Sequence, residues 1–193
     1  LGRLAAARVQ LETRGTDFGE AFNRAAAGLE SFSLTSDRLG TSLLAGFNTT
    51  GKEWLSGRPG YAWFFGRDSV FTALGLLALG EREEVAAVLR FLAAHQEFTG
   101  KILHEATLSG VVHYDAADAT PLWLILLGAW YRATGDTELV RELWPAAIRA
   151  LAFFQVFMVI VPVAVPLFGD RGLDLAGILQ LQALFGITVV LAE

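Results

Sequence analysis

The stretch that decides how this chain is interpreted is Gly60-Tyr61-Ala62-Trp63-Phe64-Phe65-Gly66-Arg67-Asp68-Ser69. An aromatic cluster runs directly into Gly-Arg-Asp, and an apolar segment with helical spacing follows to about Leu79. Aromatic faces stack on sugar rings, and an adjacent Arg/Asp pair offers sugar hydroxyls both hydrogen-bond donors and acceptors. The stretch therefore indicates a carbohydrate subsite at the start of a helix.

Helical spacing of apolar residues extends outward from this stretch as far as Ala150. Helices are predicted at 4–12, 18–32, 36–44, 68–79, 81–96, 118–134 and 137–150, with Asp68 or Ser69 capping the fourth. Long loops are predicted at 46–66 and 98–117, and the second contains two alternating pieces that suit a small hairpin. Long loops at every second connection are expected to gather at one end of an all-α array, as in an α/α toroid with a site at its mouth.

The charge and cysteine content narrow the classes of partner. The chain has 15 Lys and Arg against 20 Asp and Glu, a net charge of −5, and no basic run, so no nucleic-acid partner is expected. There is no Cys, which removes disulfides and thiolate metal sites and fits a reducing compartment. His95, His104 and His113 are too scattered for a metal site, so neither metal nor cofactor is predicted.

The composition changes sharply at about Leu151. Two uncharged runs, Leu151–Phe168 and Leu175–Ala192, are separated by a short polar turn at 169–172. A bilayer-spanning helix needs about 20 apolar residues, and the prolines at 162 and 166 are better tolerated in membrane helices than in soluble ones. The two runs therefore predict a transmembrane hairpin, with a buried helix pair of a soluble fold as the alternative.

Three blocks of residues 32–152 together resemble the catalytic domain of the amylo-α-1,6-glucosidase (glycogen-debranching) family. In order, they are Trp63-Phe64-Phe65-Gly66-Arg67-Asp68-Ser69 with Thr72-Ala73-Leu74, then Gly100-Lys101-Ile102-Leu103-His104-Glu105, then Asp118-Ala119-Thr120-Pro121-Leu122-Trp123 leading to Tyr131-Arg132-Ala133-Thr134-Gly135-Asp136. The resemblance implies part of an (α/α)6 barrel of the glucoamylase-like, six-hairpin type. It also implies an α-glucan or oligosaccharide substrate and hydrolysis of α-1,6 branches.

The resemblance also implies which residues meet the sugar. Arg67 and Asp68 line the subsite on the non-reducing side of the bond that is cut, with Trp63 and Phe65 beside them. Asp118 adds a hydroxyl contact at the same mouth. Glycoside hydrolysis needs two carboxylates, and the family blocks that hold them match nothing in this chain. The chain is therefore expected to contain no catalytic residue and to show no glucosidase activity.

Residues 153–193 resemble the first helical hairpin of a major facilitator superfamily transporter. The sequence thus predicts two domains, 1–152 and 153–193. It predicts a cytoplasmic location for residues 1–150 and membrane insertion of residues 151–193. The chain is expected to be cut from longer sequence at both ends, and the join near 153 to be either a real fusion or a misassembled reading frame.

Several alternatives remain open at this point. The whole chain is an inert glucosidase fragment, a membrane protein with a sugar-binding front, or a soluble all-α domain that uses 151–193 as core. Arg67 and Asp68 either contact sugar or form a structural ion pair, and His104 and Glu105 either belong to the site or anchor their loop. Asp118 either pairs with Asp115 or caps a helix. Core positions are predicted for Trp123, Trp130 and Trp144 from their helical spacing.

Overall fold

The computed structural model describes residues 16–47 and 61–155, together with Gly172 and Asp174. This part of the chain is mainly helical, as predicted, with short strands between the helices. The elements in order are α1 (Thr16–Glu30), β1 (Ser33–Ser36), β2 (Gly40–Leu43), β3 (Phe64–Phe65), α2 (Gly66–Leu79), α3 (Arg82–Ala94), β4 (Glu105–Ala106), β5 (Val112–His113), α4 (Ala119–Thr134) and α5 (Thr137–Gln155). The helix predicted at 4–12 lies outside the described residues.

Glycine and aspartate set the limits of the helices. Gly80 and Gly135 adopt the left-handed conformation at the ends of α2 and α4, where their N–H groups bond back to helix carbonyls. Asp136 caps α5, because its Oδ1 accepts the N–H groups of Glu138 (3.0 Å) and Leu139 (3.1 Å). These turns confirm the predicted breaks between the paired helices.

The helix predicted at 36–44 is wrong, because this segment belongs to the antiparallel hairpin of β1 and β2. Ser33 pairs with Leu43 and Ser36 with Gly40, and the side chains of Thr35 and Thr41 hydrogen-bond across the strands at 2.8 Å. Gly40 has a positive φ of 97°, which suits the end of a tight turn and disfavours a helix. The strand preference of the two threonines and their pairing across the hairpin therefore prevail over the weak helical preference of these nine residues.

A second small sheet holds the aromatic stretch in place. It has the antiparallel order β3-β4-β5, with Phe65 opposite Glu105 and Glu105 opposite His113. An isolated bridge between Leu44 and Phe64 joins this sheet to the first hairpin. The hairpin predicted within 98–117 is confirmed. The loop predicted at 46–66 instead ends in β3 and the first residue of α2, and its residues 48–60 are outside the described part.

The core lies between the helices, with α2 against α3 and α4, and α4 against α5. Phe64 and Trp123 are its largest fully buried side chains, and Trp130 is also buried, as predicted. The prediction for Trp144 is wrong, since 54% of its surface is exposed. In α5 the core face carries Leu139, Leu143 and Ala147, and Trp144 follows Leu143 by one residue, about 100° around the helix.

The fifth helix continues beyond its predicted end at Ala150 to Gln155. The predicted domain boundary at 152–153 therefore falls inside α5, and the first uncharged run begins within this helix. In the part of the chain that is described, no helix is both long and apolar enough to cross a membrane. The predicted transmembrane hairpin lies almost entirely outside the described residues, and the partial (α/α)6 barrel remains a prediction.

Candidate functional site

The three sequence blocks meet where α2 and α4 begin. The Gly66 N–H donates to the His104 carbonyl at 2.8 Å, and Phe65 pairs with Glu105 across the sheet. A methyl group added at Gly66 would overlap the Leu103 carbonyl oxygen and lie 2.9 Å from Cβ of Ala119. The absence of a side chain at Gly66 thus allows the start of α2, the strand β4 and the start of α4 to come into direct contact.

Three aromatic side chains, Tyr61, Trp63 and Phe65, form what we call the aromatic wall. Trp63 stacks on Phe65 with ring centroids 5.5 Å apart and planes 25° apart, and Tyr61 lies 5.9 Å from Phe65. The spacing of two places all three on one side of an extended segment. Phe64 points the other way and is fully buried against Phe91, and Phe65 is also buried, with 8% of its surface exposed, so Tyr61 and Trp63 are the rings of the wall that reach the surface.

Glu105 anchors the wall from β4. Its Oε2 accepts the Trp63 Nε1–H at 2.8 Å, although only 7% of Glu105 is exposed. A buried carboxylate is costly unless it is hydrogen-bonded, so this bond both satisfies Glu105 and fixes the plane of the indole. Glu105 therefore positions Trp63, whatever else it contacts.

Arg67 lies between two carboxylates. Its Nη1 donates to Asp118 Oδ2 at 2.7 Å, and its Nε is 3.8 Å from Asp68 Oδ2. The hydrogen bond to Asp118, together with the charge of that carboxylate, raises the pKa of Arg67 above its ordinary value. The three side chains remain 39–49% exposed, so a ligand can reach them. The Arg67–Asp68 pair expected from the sequence is thus longer than the contact between Arg67 and Asp118.

Neither candidate cap acts through its side chain. Phe65 holds the N-cap position of α2, so the predicted capping by Asp68 or Ser69 is wrong. Ser69 Oγ instead donates to the Leu43 carbonyl at 3.0 Å, which ties α2 to β2. Asp118 holds the N-cap position of α4 but makes no capping bond. Its Oδ1 is buried without a hydrogen-bond partner, so Asp118 has unused accepting capacity next to Arg67.

His104 extends the aromatic wall on the side of β4. Its ring meets Phe65 edge-on, with centroids 5.8 Å apart, and its Nδ1 lies 2.5 Å from Asp115 Oδ1. This hydrogen bond lowers the pKa of Asp115. Asp115 and Asp118 therefore each have a basic partner of their own, in place of the carboxylate pair considered from the sequence. The backbone of His104 thus anchors its loop, and its ring adjoins the wall.

The structure brings the seven predicted residues into two groups of side-chain contacts, an aromatic group around Phe65 and a charged group around Arg67, which the backbone hydrogen bond from Gly66 to the His104 carbonyl joins. These residues are Trp63, Phe65, Arg67, Asp68, His104, Glu105 and Asp118. Sequence reasoning missed Tyr61 as part of the wall and Asp115 as the partner of His104. The alternation 61, 63, 65 signals the first, and the predicted hairpin within 98–117 brings the segments of His104 and Asp115 together without showing that these two side chains bond.

The site combines aromatic rings with charged and polar side chains. Within the described ranges, no cluster of three or more His, Asp or Glu side chains is arranged to hold a metal ion. No protein-family model matches this chain, and a comparison with curated proteins gives no match. The geometry of the network is therefore the observation on which a functional proposal rests.

Proposed function

We propose that this chain binds α-glucans or oligosaccharides at the aromatic wall and the adjoining Arg67–Asp118 pair. The observation that carries the proposal is that three distant sequence blocks meet at Gly66 and bring stacked aromatic rings and exposed donors and acceptors to the start of α2 and α4. A pyranose ring presents apolar C–H faces and a rim of hydroxyls. The wall suits the faces, and Arg67, Asp68 and Asp118 suit the hydroxyls.

The charge of the network favours a neutral ligand. Two carboxylates, those of Asp68 and Asp118, lie against the single guanidinium of Arg67, and Asp118 already holds it at 2.7 Å. An anionic ligand such as a phosphate would meet net repulsion from like charges at short range. A neutral sugar can donate hydroxyl protons to the carboxylates and accept hydrogen bonds from Arg67.

The proposed activity is binding without hydrolysis. The resemblance to glycogen-debranching glucosidases supports a glucan as ligand and an (α/α)6 architecture for residues 32–152. It assigns neither the general acid nor the general base to any residue of this chain. We therefore expect no glucose release from a branched α-glucan, and a measured release would contradict this part of the proposal.

The test is a calorimetric titration of the full chain with maltooligosaccharide, supported by tryptophan fluorescence. Trp63→Ala should remove detectable binding, because it deletes half of the stacked pair and the bond to Glu105. Trp144→Ala is the matched control, since Trp144 is an exposed tryptophan on α5. Equal affinity of the Trp63→Ala and Trp144→Ala variants, or no binding by the wild type, would overturn the proposal.

A second proposal concerns residues 151–193. Their two uncharged runs support membrane insertion, as in the transporter-like hairpin, whereas a soluble helix pair would place the same residues in a core. Partition of the full chain between a detergent phase and an aqueous phase separates the two. Recovery in the detergent phase supports a membrane-tethered sugar-binding protein. Monodisperse behaviour without detergent supports the soluble alternative.

A further inference from the structure

His104 is held at three points beside the aromatic wall. Its backbone N–H donates to the His113 carbonyl at 2.7 Å, and its own carbonyl accepts the Gly66 N–H at 2.8 Å. Its Nδ1 contacts Asp115 Oδ1 at 2.5 Å, and its ring lies edge-on to Phe65. The backbone position of His104 is therefore set by the strands and by α2, and the orientation of its ring by Asp115 and Phe65.

The protonation of Asp115 decides which nitrogen of His104 carries the proton. The hydrogen bond from His104 lowers the pKa of Asp115, so the carboxylate is ionised at neutral pH. An ionised carboxylate only accepts hydrogen bonds, so the proton of the neutral imidazole must lie on Nδ1. Its Nε2 then carries a lone pair, while the hydrogen bond of the ring to Asp115 is made through Nδ1.

We propose that Asp115 is a positioning residue that holds His104 in the Nδ1–H form, so that Nε2 accepts a hydrogen bond from a sugar hydroxyl at the aromatic wall. The proposal rests on the sugar-binding function proposed above and adds one directed acceptor to it. A carboxylate that orients a histidine and selects its tautomer is a general arrangement in proteins. Here it would add directionality to a site whose aromatic faces have none.

The acceptor complements the donors already present. Arg67 can only donate, and the Asp68 and Asp118 carboxylates accept beside it at the start of α2 and α4. The imidazole of His104 meets Phe65 edge-on, so its Nε2 is a further acceptor beside the wall. A sugar stacked on the wall would then find acceptors at two places, which favours a single orientation of its ring.

The first measurement is NMR of the full chain labelled with ¹⁵N-histidine, in which the two ring nitrogens report the tautomer directly. The wild type should show the Nδ1–H form for His104 at pH 7.5. Asp115→Ala should shift His104 towards the Nε2–H form, which free imidazole side chains prefer. Asp115→Asn, whose amide oxygen still accepts, should largely keep the wild-type form. Asp37→Asn, in the exposed turn after β1, is the control for loss of charge.

The second measurement is the affinity of these variants for maltooligosaccharide. Loss of one hydrogen bond between neutral groups should weaken binding of Asp115→Ala about fivefold, with most of the loss recovered in Asp115→Asn. Added sugar should move the Nε2 resonance of His104 in the wild type. If Asp115 only supported the fold, Asp115→Ala would change the melting temperature and leave the tautomer of His104 unchanged.

The outcomes separate this proposal from the function on which it rests. An Nε2–H form in the wild type, or one tautomer shared by the wild type and Asp115→Ala, overturns the role of Asp115. An unperturbed Nε2 resonance in a wild type that does bind sugar overturns the contact but leaves sugar binding intact. Absence of sugar binding by a wild type in the Nδ1–H form overturns the proposed function and the sugar contact together.

Discussion

Two arginine–carboxylate pairs join helices in this molecule, and they differ in how completely each partner is used. Arg90 on α3 donates two hydrogen bonds of 2.7 Å to Glu142 on α5, one to each carboxylate oxygen. Arg67 on α2 reaches Asp118 through one bond of 2.7 Å, and the second oxygen of Asp118 is buried without a partner. Both pairs are about half exposed, so exposure does not explain the difference.

The difference separates a pair that joins helices from a pair that can also meet a ligand. The two parallel bonds of Arg90 and Glu142 use the geometry of the guanidinium fully and leave the carboxylate without a free oxygen. Asp118 has one oxygen without a hydrogen-bond partner, which is buried, while the rest of its pair with Arg67 remains partly exposed. Substitutions at Gly66, Arg67, Arg90 and Arg141 test this contrast, with expected effects that decrease in this order.

Gly66→Ala should produce the largest loss. The added methyl group would overlap the Leu103 carbonyl and press on Ala119, and neither the backbone nor the start of α4 can move without disturbing the site. We expect a loss of about 3 kcal/mol in the free energy of unfolding, at the upper end for overpacking. Chemical denaturation measures this loss, and sugar titration of the folded fraction measures the effect on binding.

The matched control for this substitution is Gly28→Ala in α1. A methyl group at Gly28 would meet nothing within 4 Å. Stability should be unchanged or should rise by up to about 1 kcal/mol, because alanine favours a helix over glycine. Similar losses at both glycines would show that the close approach at Gly66 is not what organises the site.

Arg67→Ala and Arg90→Ala should differ in their effect on sugar affinity. Removing Arg67 deletes a charged donor and leaves Asp118 unpaired, so affinity should fall about tenfold or more. Removing Arg90 should change affinity by less than about twofold, since α3 and α5 carry no proposed sugar contact. Calorimetric titration measures both. A comparable loss in the two variants would erase the distinction between the pairs.

The Arg90–Glu142 pair should instead affect the free energy of unfolding and the dependence of that free energy on pH. Arg90 lowers the pKa of Glu142 from its ordinary 4.5, so the pair stabilises the fold above that pH and loses its effect as the pH falls further. Arg90→Ala should cost about 0.5–1 kcal/mol at pH 7, the usual range for exposed pairs. The cost should shrink towards pH 3.

Urea denaturation of the wild type and of Arg90→Ala at pH 7 and pH 3 gives this comparison. The sign follows from the carboxylate, because a lowered pKa in the folded state means that the ionised form is the stabilising one. A cost that grows at pH 3 would show that the substitution acts through lost packing and not through the ion pair.

The smallest effect is expected for Arg141→Ala. Arg141 contacts Glu138 at 2.6 Å within one exposed turn of α5, with side chains 70% and 82% exposed. Such a pair contributes about 0.2–0.5 kcal/mol in an isolated helix. Thermal melting should therefore barely distinguish this variant from the wild type. A loss as large as that of Arg90→Ala would show that joining two helices adds nothing to an ion pair.

The helices and the candidate side chains could largely be predicted, whereas their partners could not. The sequence pattern predicted α1, α2, α3 and α4 to within a few residues, because each has apolar spacing and a glycine or polar residue near its end. It failed at 36–44, where the short segment gains more from pairing as β1 and β2 than from a helix of two turns.

The outward position of Trp144 also needed the structure. Sequence spacing shows that a residue lies on some face of a helix, but the orientation of that face depends on what packs against it. In α5 the small residues Ala146, Ala147 and Ala150 face the core, and this helix packs against α4. The larger tryptophan is left on the outside.

By itself, the sequence determined a mainly helical chain, the aromatic run that ends in Gly66-Arg67-Asp68, and the change of composition near residue 151. These features depend on residue type and on spacing along the chain, and both act through the local preferences of the backbone for helix or strand. Only the tertiary structure decided that Arg67 holds Asp118 across 51 positions, that Glu105 fixes Trp63, and that Asp115 holds His104. Such pairs depend on which helix ends and strands meet in space, and the packing of the core sets that.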